Sequence, residues 1–165
     1  MASKGTAKVT LPTDEQILIT REFNAPKHLV YKAWTTPELV KRWWSGGYGE
    51  VTTAEIDLRV GGRWRYVLVT DKAEEVAFHG DFREIVPNER IVTTEVYEMP
   101  GADPLPAADE PLNIVTFAEV DGRTTLTLLV QTTSKELRDA IVNSGMEAGM
   151  QAGYDLLEEL AISLR

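Results

Sequence analysis

The sequence contains no cysteine, only two histidines and no run of basic residues among its 165 residues. Without cysteine the chain can form no disulfide, no thiolate nucleophile and no cysteine-ligated metal centre. Its 17 Lys and Arg residues are outnumbered by 26 Asp and Glu residues, which argues against nucleic acid or an anionic membrane as the main partner. No stretch approaches the roughly 20 apolar residues of a membrane span, and the N-terminus lacks the apolar segment of a signal peptide. We therefore expect a cytoplasmic protein with no membrane span.

Length and composition predict one globular domain. The chain is well below the roughly 250 to 300 residues at which single cores stop growing. Its hydrophobic content of 43% is enough to build a core. Residues 1–14 are small, polar and aperiodic, so we expect a flexible N-terminal tail followed by a single domain over residues 15–165.

The hydrophobic pattern changes from strand to helix and back to strand. Two-residue alternation predicts a first strand from Gln16 to Phe23, which places Arg21 on the same face as its apolar neighbours. Two short helices follow, one beginning near Pro26 and one running from Pro37 to Trp44. Six further strands are predicted near residues 50–58, 62–70, 75–86, 89–98, 112–120 and 123–131. The connection from Met99 to Pro111 contains four prolines and is predicted to be a stiff surface loop, acting either as a lid over a cavity or as a partner contact.

A single long helix is predicted at the C-terminus. Thr133-Ser134-Lys135-Glu136 fits a capping box, and the pattern continues without a break to about Ser163, a length of ~45 Å. Gly145, Gly149 and Gly153 are spaced by four and share one side of this helix, where each glycine costs roughly 1 kcal/mol relative to alanine. One interpretation is close backbone packing against the sheet or a neighbouring chain. The other is open space beside Met146 and Met150 that forms part of a ligand cavity.

Groups able to carry out catalysis are scarce. The chain has no Walker loop, no nucleophile elbow and no zinc-binding His-Glu-x-x-His motif. His28 is interpreted as an exposed helix residue. His79 and Asp81 share a strand face, so they are the only candidate catalytic pair, and the alternative is a hydrogen-bonded cluster with Arg83. The sequence predicts no metal site, because these two groups lack a third ligand nearby, and no cofactor.

The aromatic residues are more informative. Alternation places Trp64, Tyr66 and Leu68 on one strand face, and Phe78 and Phe82 on another. A sheet with one apolar face, covered by one helix, can enclose an apolar cavity of the kind that binds small molecules, or it can be fully packed. If the cavity exists, we expect its lining to consist of Trp43, Trp64, Tyr66, Phe82, Phe117, Met146, Met150 and Tyr154.

Several stretches together resemble a known family. They are Arg21-Glu22-Phe23-Asn24-Ala25-Pro26 with Val30 and Trp34, the segment from Pro37 to Trp43-Trp44, Gly61-Gly62-Arg63-Trp64, the run from His79 to Ile91, and Met146-Glu147-Ala148-Gly149-Met150. They resemble the START/SRPBCC superfamily, whose fold is the helix-grip or birch-pollen-allergen fold. Within it they are similar to the branch named for the C-terminal domain of the heat-shock protein 90 ATPase activator. The resemblance covers residues 16–163.

The resemblance implies an α+β fold in which a curved antiparallel seven-stranded sheet wraps around a long C-terminal helix, with two short helices after the first strand. It also implies a cavity for lipids or other hydrophobic molecules, and related branches include polyketide cyclases and aromatases. The eukaryotic activator has a further N-terminal domain, for which 165 residues leave no room, so the resemblance by itself does not imply a co-chaperone role.

Three functions therefore stay open. The first, which the scarcity of histidine and of catalytic motifs favours, is non-enzymatic binding of a hydrophobic or amphipathic small molecule. The second is a cyclase-, aromatase-, hydrolase- or isomerase-like enzyme that uses His79, Asp81 or a cavity-facing tyrosine. The third is an interaction module that contacts a chaperone or forms a homodimer through Gly145, Gly149 and the proline-rich loop.

Overall fold

The computed structural model describes residues 7–47, 49–98 and 110–165. Within these ranges, nine strands and four helices follow one another in the order β1 (Lys8–Thr10), β2 (Gln16–Phe23), α1 (Lys27–Thr35), α2 (Pro37–Trp43), β3 (Gly49–Ile56), β4 (Arg63–Thr70), β5 (Glu75–Val86), β6 (Arg90–Thr94), β7 (Val96–Glu98), β8 (Leu112–Val120), β9 (Arg123–Gln131), α3 (Lys135–Val142) and α4 (Met146–Ser163). The bounds predicted for the strands at 16–23, 75–86, 112–120 and 123–131 are confirmed.

The strands form one curved antiparallel sheet in the order β1-β2-β9-β8-β6-β5-β4-β3, with β7 paired to β5. The core lies between the inner face of this sheet and α4, since buried Ile19, Phe117 and Leu126 belong to the same hydrophobic cluster as Leu157 and Leu160. The predicted helix-grip α+β fold is confirmed. The two-residue turn at Asp121-Gly122 adopts positive φ at both residues (53° and 78°), as this hairpin type requires.

The sheet has nine strands among the described residues instead of the predicted seven, and one of the two additions lies in the expected tail. Lys8–Thr10 pairs antiparallel with Leu18–Thr20 of β2. Next to this strand, the Ala7 backbone N–H donates to Gln151 Oε1 at 3.0 Å, and Gln151 Nε2 donates to the Ala7 carbonyl at 2.7 Å. The tail prediction is therefore wrong for Lys8–Thr10, because pairing with β2 and α4 compensates for the weak apolar pattern of that segment. Residues 1–6 lie outside the described ranges.

The second addition arises because the strand predicted over 89–98 is divided at Glu95. The Glu95 backbone N–H donates to the Pro111 carbonyl at 3.1 Å, which continues the register of β6 with β8 past the end of β6. Opposite this break stands Gly80, where a Cβ would lie 1.8 Å from the Thr94 carbonyl oxygen. The missing side chain allows Trp64 Nε1 to donate to that carbonyl at 3.1 Å. The proline-rich loop prediction falls largely on residues 99–109, which lie outside the described residues.

The long C-terminal helix is two helices. Asn143 and Ser144 end α3 through backbone N–H bonds to Asp139 and Ile141, and Gly145 has a left-handed φ of 86°. Asn-Ser-Gly is a common way to end a helix, and the sequence reading overlooked it. α4 alone is about 27 Å long at 1.5 Å per residue.

The predicted cap was displaced by one residue. The N-cap of α3 is Ser134, whose Oγ accepts a hydrogen bond from the Leu137 backbone N–H at 3.1 Å. Thr133, the expected cap, is exposed. The residue before it explains the shift: the Thr132 hydroxyl lies 2.9 Å from the carbonyl oxygens of both Glu15 and Ser134 and shares its one proton with them, which anchors the chain as it enters the helix.

Candidate ligand-binding site

The sequence-predicted lining residues lie on the inner side of the sheet and on the helices that cover it. Trp64, Phe82 and Phe117 are buried on the sheet, and Trp43 and Tyr154 are buried on α2 and α4. Tyr66, Met146 and Met150 are half-buried and pack against the same core. The predicted lining residues therefore divide into a buried group, which we call closed, and a half-buried group, which we call open.

The closed group surrounds Trp34 on α1. Its ring centroid lies 5.1 Å from that of Trp43, 6.3 Å from that of Phe117 and 6.0 Å from that of Tyr154. Trp43 Nε1 donates to the Ala33 carbonyl at 3.0 Å, so its polar group already has a partner. This end of the interior is a packed core, and Trp43 and Phe117 are structural members of it.

The open group follows the inner face of β4 and β5. Trp44 packs against Tyr66 and Phe78, with ring centroids 5.3 and 5.1 Å apart, and Tyr66 lies 4.8 Å from Trp64. Trp44, Tyr66 and Phe78 are half-buried although they face inward. This partial exposure distinguishes them from the packed group around Trp34.

Two polar residues that sequence reasoning missed lie next to this aromatic wall. Glu95 occupies the break between β6 and β7, and its Oε2 accepts a hydrogen bond from Asn113 Nδ2 on β8 at 3.0 Å. Asn113 shares the inner face with Val115 and Phe117, because alternate residues of a strand point to the same side. We call the set of Trp44, Tyr66, Phe78, Glu95 and Asn113 the inner recess.

Burial dominates the electrostatics of the inner recess. Desolvation raises the pKa of Glu95, against the opposing effect of its hydrogen bond from Asn113. Desolvation also raises the pKa of Tyr66 on the sheet and of Tyr154 on α4, and the charge of Glu95 adds to both shifts. The charge of Glu95 therefore acts on a tyrosine in each of the two layers of the fold.

The polar groups of the recess are incompletely paired. Asn113 Oδ1 is enclosed and makes no hydrogen bond within residues 7–47, 49–98 and 110–165. A buried acceptor without a partner costs roughly 1 to 3 kcal/mol, so such groups are uncommon outside functional sites. Glu95 is absent from every ion pair between described residues, and residues 99–109 contain no Lys, Arg or His.

A second buried polar group holds α4 in place and does not reach the recess. Arg21 donates to the Tyr154 carbonyl, to Asp155 Oδ1 at 2.9 Å and to Glu158 Oε1 at 3.3 Å. Its guanidinium lies 4.7 Å from the Phe23 ring centroid. This network fixes the rotation of α4, and hence the direction of Tyr154, relative to β2.

The three aligned glycines of the C-terminal segment have three different environments. Gly145 separates the helices. A Cβ on Gly153 would lie 3.1 Å from the Trp43 carbonyl oxygen, which is the close packing that one interpretation expected. A Cβ on Gly149 would meet nothing within 4 Å.

His79 and Asp81 lie on the opposite face of the sheet from the recess. His79 stands opposite Arg65, which alternates with the inward-facing Trp64 and Tyr66. His79 Nδ1 lies 2.9 Å from Glu98 Oε2, and Arg65 holds the same carboxylate with two hydrogen bonds at 3.0 and 3.1 Å.

Asp81 instead accepts from Arg63 at 3.2 Å. The two candidate catalytic residues are therefore each paired to a different partner. Neither has a hydrogen bond or ion pair with Arg83 among the described residues.

Residues 7–47, 49–98 and 110–165 contain no cluster of three His, Asp or Glu side chains able to hold a metal ion. None of the helices in these ranges combines the length and hydropathy needed to cross a bilayer. An open depression of about 500 Å³ at the turn before β4 is lined by Asp57, Arg59 and their neighbours, and Arg59 Nε donates there to Asp57 Oδ2 at 2.8 Å.

A curved antiparallel sheet that grips a C-terminal helix, with an aromatic inner face, defines the SRPBCC superfamily. Within it, the family described as "Activator of Hsp90 ATPase homolog 1-like protein" matches residues 24–161, and the chain belongs to this family. The family resemblance predicted from the sequence motifs is thus confirmed.

Solved structures of low identity share the fold. A protein from Rhodobacter sphaeroides is similar at 22% identity with a TM-score of 0.84, covering 96% of this chain and 99% of its own. A protein from Mycobacterium smegmatis is similar at 22% identity with a TM-score of 0.82, covering 94% and 96%. An AHSA1-like protein from Aeromonas hydrophila is similar at 19% identity with a TM-score of 0.64, covering 89% and 93%. No curated protein sequence matches the chain.

Proposed function

We propose that this protein binds a hydrophobic or amphipathic small molecule between the sheet and α4. The observation that carries the proposal is the inner recess itself, where Trp44, Tyr66, Phe78 and Glu95 are all half-buried on the inner side of the sheet. An apolar wall with a few convergent polar groups is the usual form of a small-molecule site. Of the lining residues expected from the sequence, Trp64, Tyr66, Met146 and Met150 are the ones we assign to the ligand.

Ligand-dependent thermal stability tests the proposal. A compound present at 100 times its dissociation constant adds about 2.7 kcal/mol to the free energy of unfolding, which is a rise in Tm of roughly 5 to 10 °C for a chain of this size. The assay uses a panel of apolar and amphipathic compounds, including fatty acids, fatty amines and polycyclic phenols. Tryptophan fluorescence provides a second measurement, since Trp44 belongs to the inner recess and Trp64 adjoins it.

A matched pair of variants locates the site. Ala54 stands opposite Tyr66 in the β3–β4 register and therefore shares the inner face, whereas its neighbour Thr53 faces outward. We expect Ala54→Leu to reduce or abolish the ligand-induced Tm rise and Thr53→Leu to leave it unchanged. A panel without a single stabilising compound would contradict the proposal, and equal effects of both variants would move the site away from the recess.

An enzymatic use of the same recess is the alternative that a specific observation favours. A carboxyl group whose pKa is raised by burial is a candidate general acid, of the kind that a cyclase-, aromatase- or hydrolase-like reaction needs. Mass spectrometry of each stabilising compound after incubation separates the two functions. A binder returns the compound unchanged, and an enzyme changes its mass or its retention time.

Contact with a chaperone is the third function, and the family description is what supports it. Its test is direct binding to purified heat-shock protein 90 by size-exclusion chromatography, with and without a stabilising compound. A complex that forms in the absence of any compound would favour an interaction module, and the elution volume of the protein alone reports whether it forms a homodimer.

A further inference from the structure

The polar residues of the inner recess differ in their capacity to donate and to accept hydrogen bonds. The Glu95 carboxyl group and Asn113 Oδ1 are acceptors, and only one hydrogen bond, from Asn113 Nδ2 to Glu95 Oε2, joins the two side chains. The described residues place no Lys, Arg or His side chain in an ion pair with Glu95. The recess thus combines a half-buried acidic group with no cationic partner among residues 7–47, 49–98 and 110–165.

A ligand that suits this arrangement supplies donors and positive charge. A carboxylate in an apolar environment is stabilised when a cation pairs with it, and an uncompensated buried charge is strongly unfavourable. A ligand carboxylate would add a second negative charge, and a ligand hydroxyl would supply one donor without charge. A protonated amine supplies up to three donors and the missing positive charge.

The aromatic wall favours the same chemistry. Trp64 and Tyr66 lie side by side on β4, and Trp64 Nε1 bonds to the carbonyl of Thr94, the residue directly before Glu95. The faces of Trp and Tyr rings attract ammonium groups when solvent is excluded. An aromatic surface adjoining one carboxylate is a common way to recognise an organic cation.

We propose that the ligand of the inner recess is an amphipathic amine whose ammonium group donates to Glu95 while its apolar body packs on Trp44, Tyr66 and Phe78. This inference rests on the proposed small-molecule function and names the chemical class of the ligand. Asn113 acts as a positioning residue, since it holds the carboxyl group through Oε2 and leaves Oε1 for the ligand.

The experiment compares three probes that share a phenylalkyl body and differ in their head group. They are 2-phenylethylamine, 2-phenylethanol and 3-phenylpropanoate, titrated calorimetrically at pH 7 into the full chain. A charge-assisted hydrogen bond exceeds a neutral one by enough to give about tenfold tighter binding of the amine than of the alcohol. The acid is expected to bind most weakly.

Two variants complete the test. Glu95→Gln removes the charge and keeps the shape, and it should bring the affinities of amine and alcohol to within about twofold of each other. Glu55→Gln is the control, because Glu55 is exposed and stands opposite Arg65 on the outer face, and it should retain the preference for the amine. Near-ultraviolet circular dichroism checks that each variant is folded.

The outcomes separate this inference from the proposed function. Alcohol or acid binding as tightly as the amine would overturn the amine assignment and leave small-molecule binding intact, and so would a preference for the amine that persists in Glu95→Gln. Failure of all three probes, together with a ligand panel that stabilises nothing, would overturn both. If Glu95→Gln does not fold, the affinities of the three probes for the unmodified protein still test the amine assignment.

Discussion

Asn113 Nδ2 donates to Glu95 Oε2 at 3.0 Å, and this bond joins the middle of the inner face to the break between β6 and β7. The register shared by the Phe82–Thr93 and His79–Val96 pairs puts Glu95 opposite Gly80, on the inner face with Phe78 and Phe82. Strand alternation, together with a neighbour that has no side chain, thus provides the recess with its acidic group.

The raised pKa of Glu95 predicts a stability that falls as pH rises. The native state holds the Glu95 proton at pH values where the unfolded chain, with a carboxyl pKa near 4.5, has released it. The free energy of unfolding of the native protein, relative to Glu95→Gln, should therefore decline from about pH 4.5 upwards. Urea unfolding of both proteins between pH 4.5 and 7.5 measures the difference, and a difference that rises with pH would contradict the assignment.

Removing Arg21 should be strongly destabilising. Arg21→Met leaves Glu158, which is 7% exposed, as a buried carboxylate without its guanidinium, and breaking a buried pair in this way costs about 3 to 5 kcal/mol. Arg63→Met is the matched control, because its pair with Asp81 is exposed and should be worth less than about 1 kcal/mol. Chemical denaturation provides both values, and similar losses would show that the Arg21 network does not hold α4.

The aligned glycines predict opposite results for two alanine substitutions. Gly149→Ala meets no neighbour within 4 Å and gains helix propensity, so it should stabilise the protein by up to about 1 kcal/mol. Gly153→Ala makes a 3.1 Å contact with the Trp43 carbonyl oxygen, which offsets the same gain. Thermal unfolding distinguishes the two variants. A rise in Tm for Gly153→Ala would mean that α2 moves to accommodate the new methyl group at little cost in free energy.

The start of α3 predicts a difference between two adjacent residues. Ser134→Ala loses the bond from the Leu137 N–H and should cost about 1 kcal/mol, a typical value for an N-cap. Thr133→Ala, at the exposed preceding position, should change the free energy of unfolding by less than about 0.5 kcal/mol. Equal losses in the free energy of unfolding for the two variants would indicate that Thr133 also acts as an N-cap.

The positions of most strands could be predicted because local patterns specify them. Alternation of apolar residues between Gln16 and Phe23 and the Asp121-Gly122 turn each require no distant partner to be recognised. The strand Lys8–Thr10 could not be predicted, since what orders it is pairing with β2 and the side chain of Gln151 far along the chain. The break at Glu95 also depends on Pro111 and Gly80, which are distant in sequence.

The candidate site was predicted in part for the same reason. Trp64 and Tyr66 are visible from alternation, which is a property of one strand. Glu95 and Asn113 carry no local signal, because a single Glu near a strand end is usually a solvated residue and becomes a half-buried acid only when the sheet closes around it.

The sequence by itself determined the class of fold, the family and the aromatic inner face of the sheet, since periodicity, turn residues and motifs are local properties of the chain. The tertiary structure decided which of those aromatic residues stay half-exposed, and it paired His79 and Asp81 on the outer face with Glu98 and Arg63. It also brought Glu95 and Asn113 together behind the aromatic wall, because burial and hydrogen bonding are set by neighbours that only folding supplies.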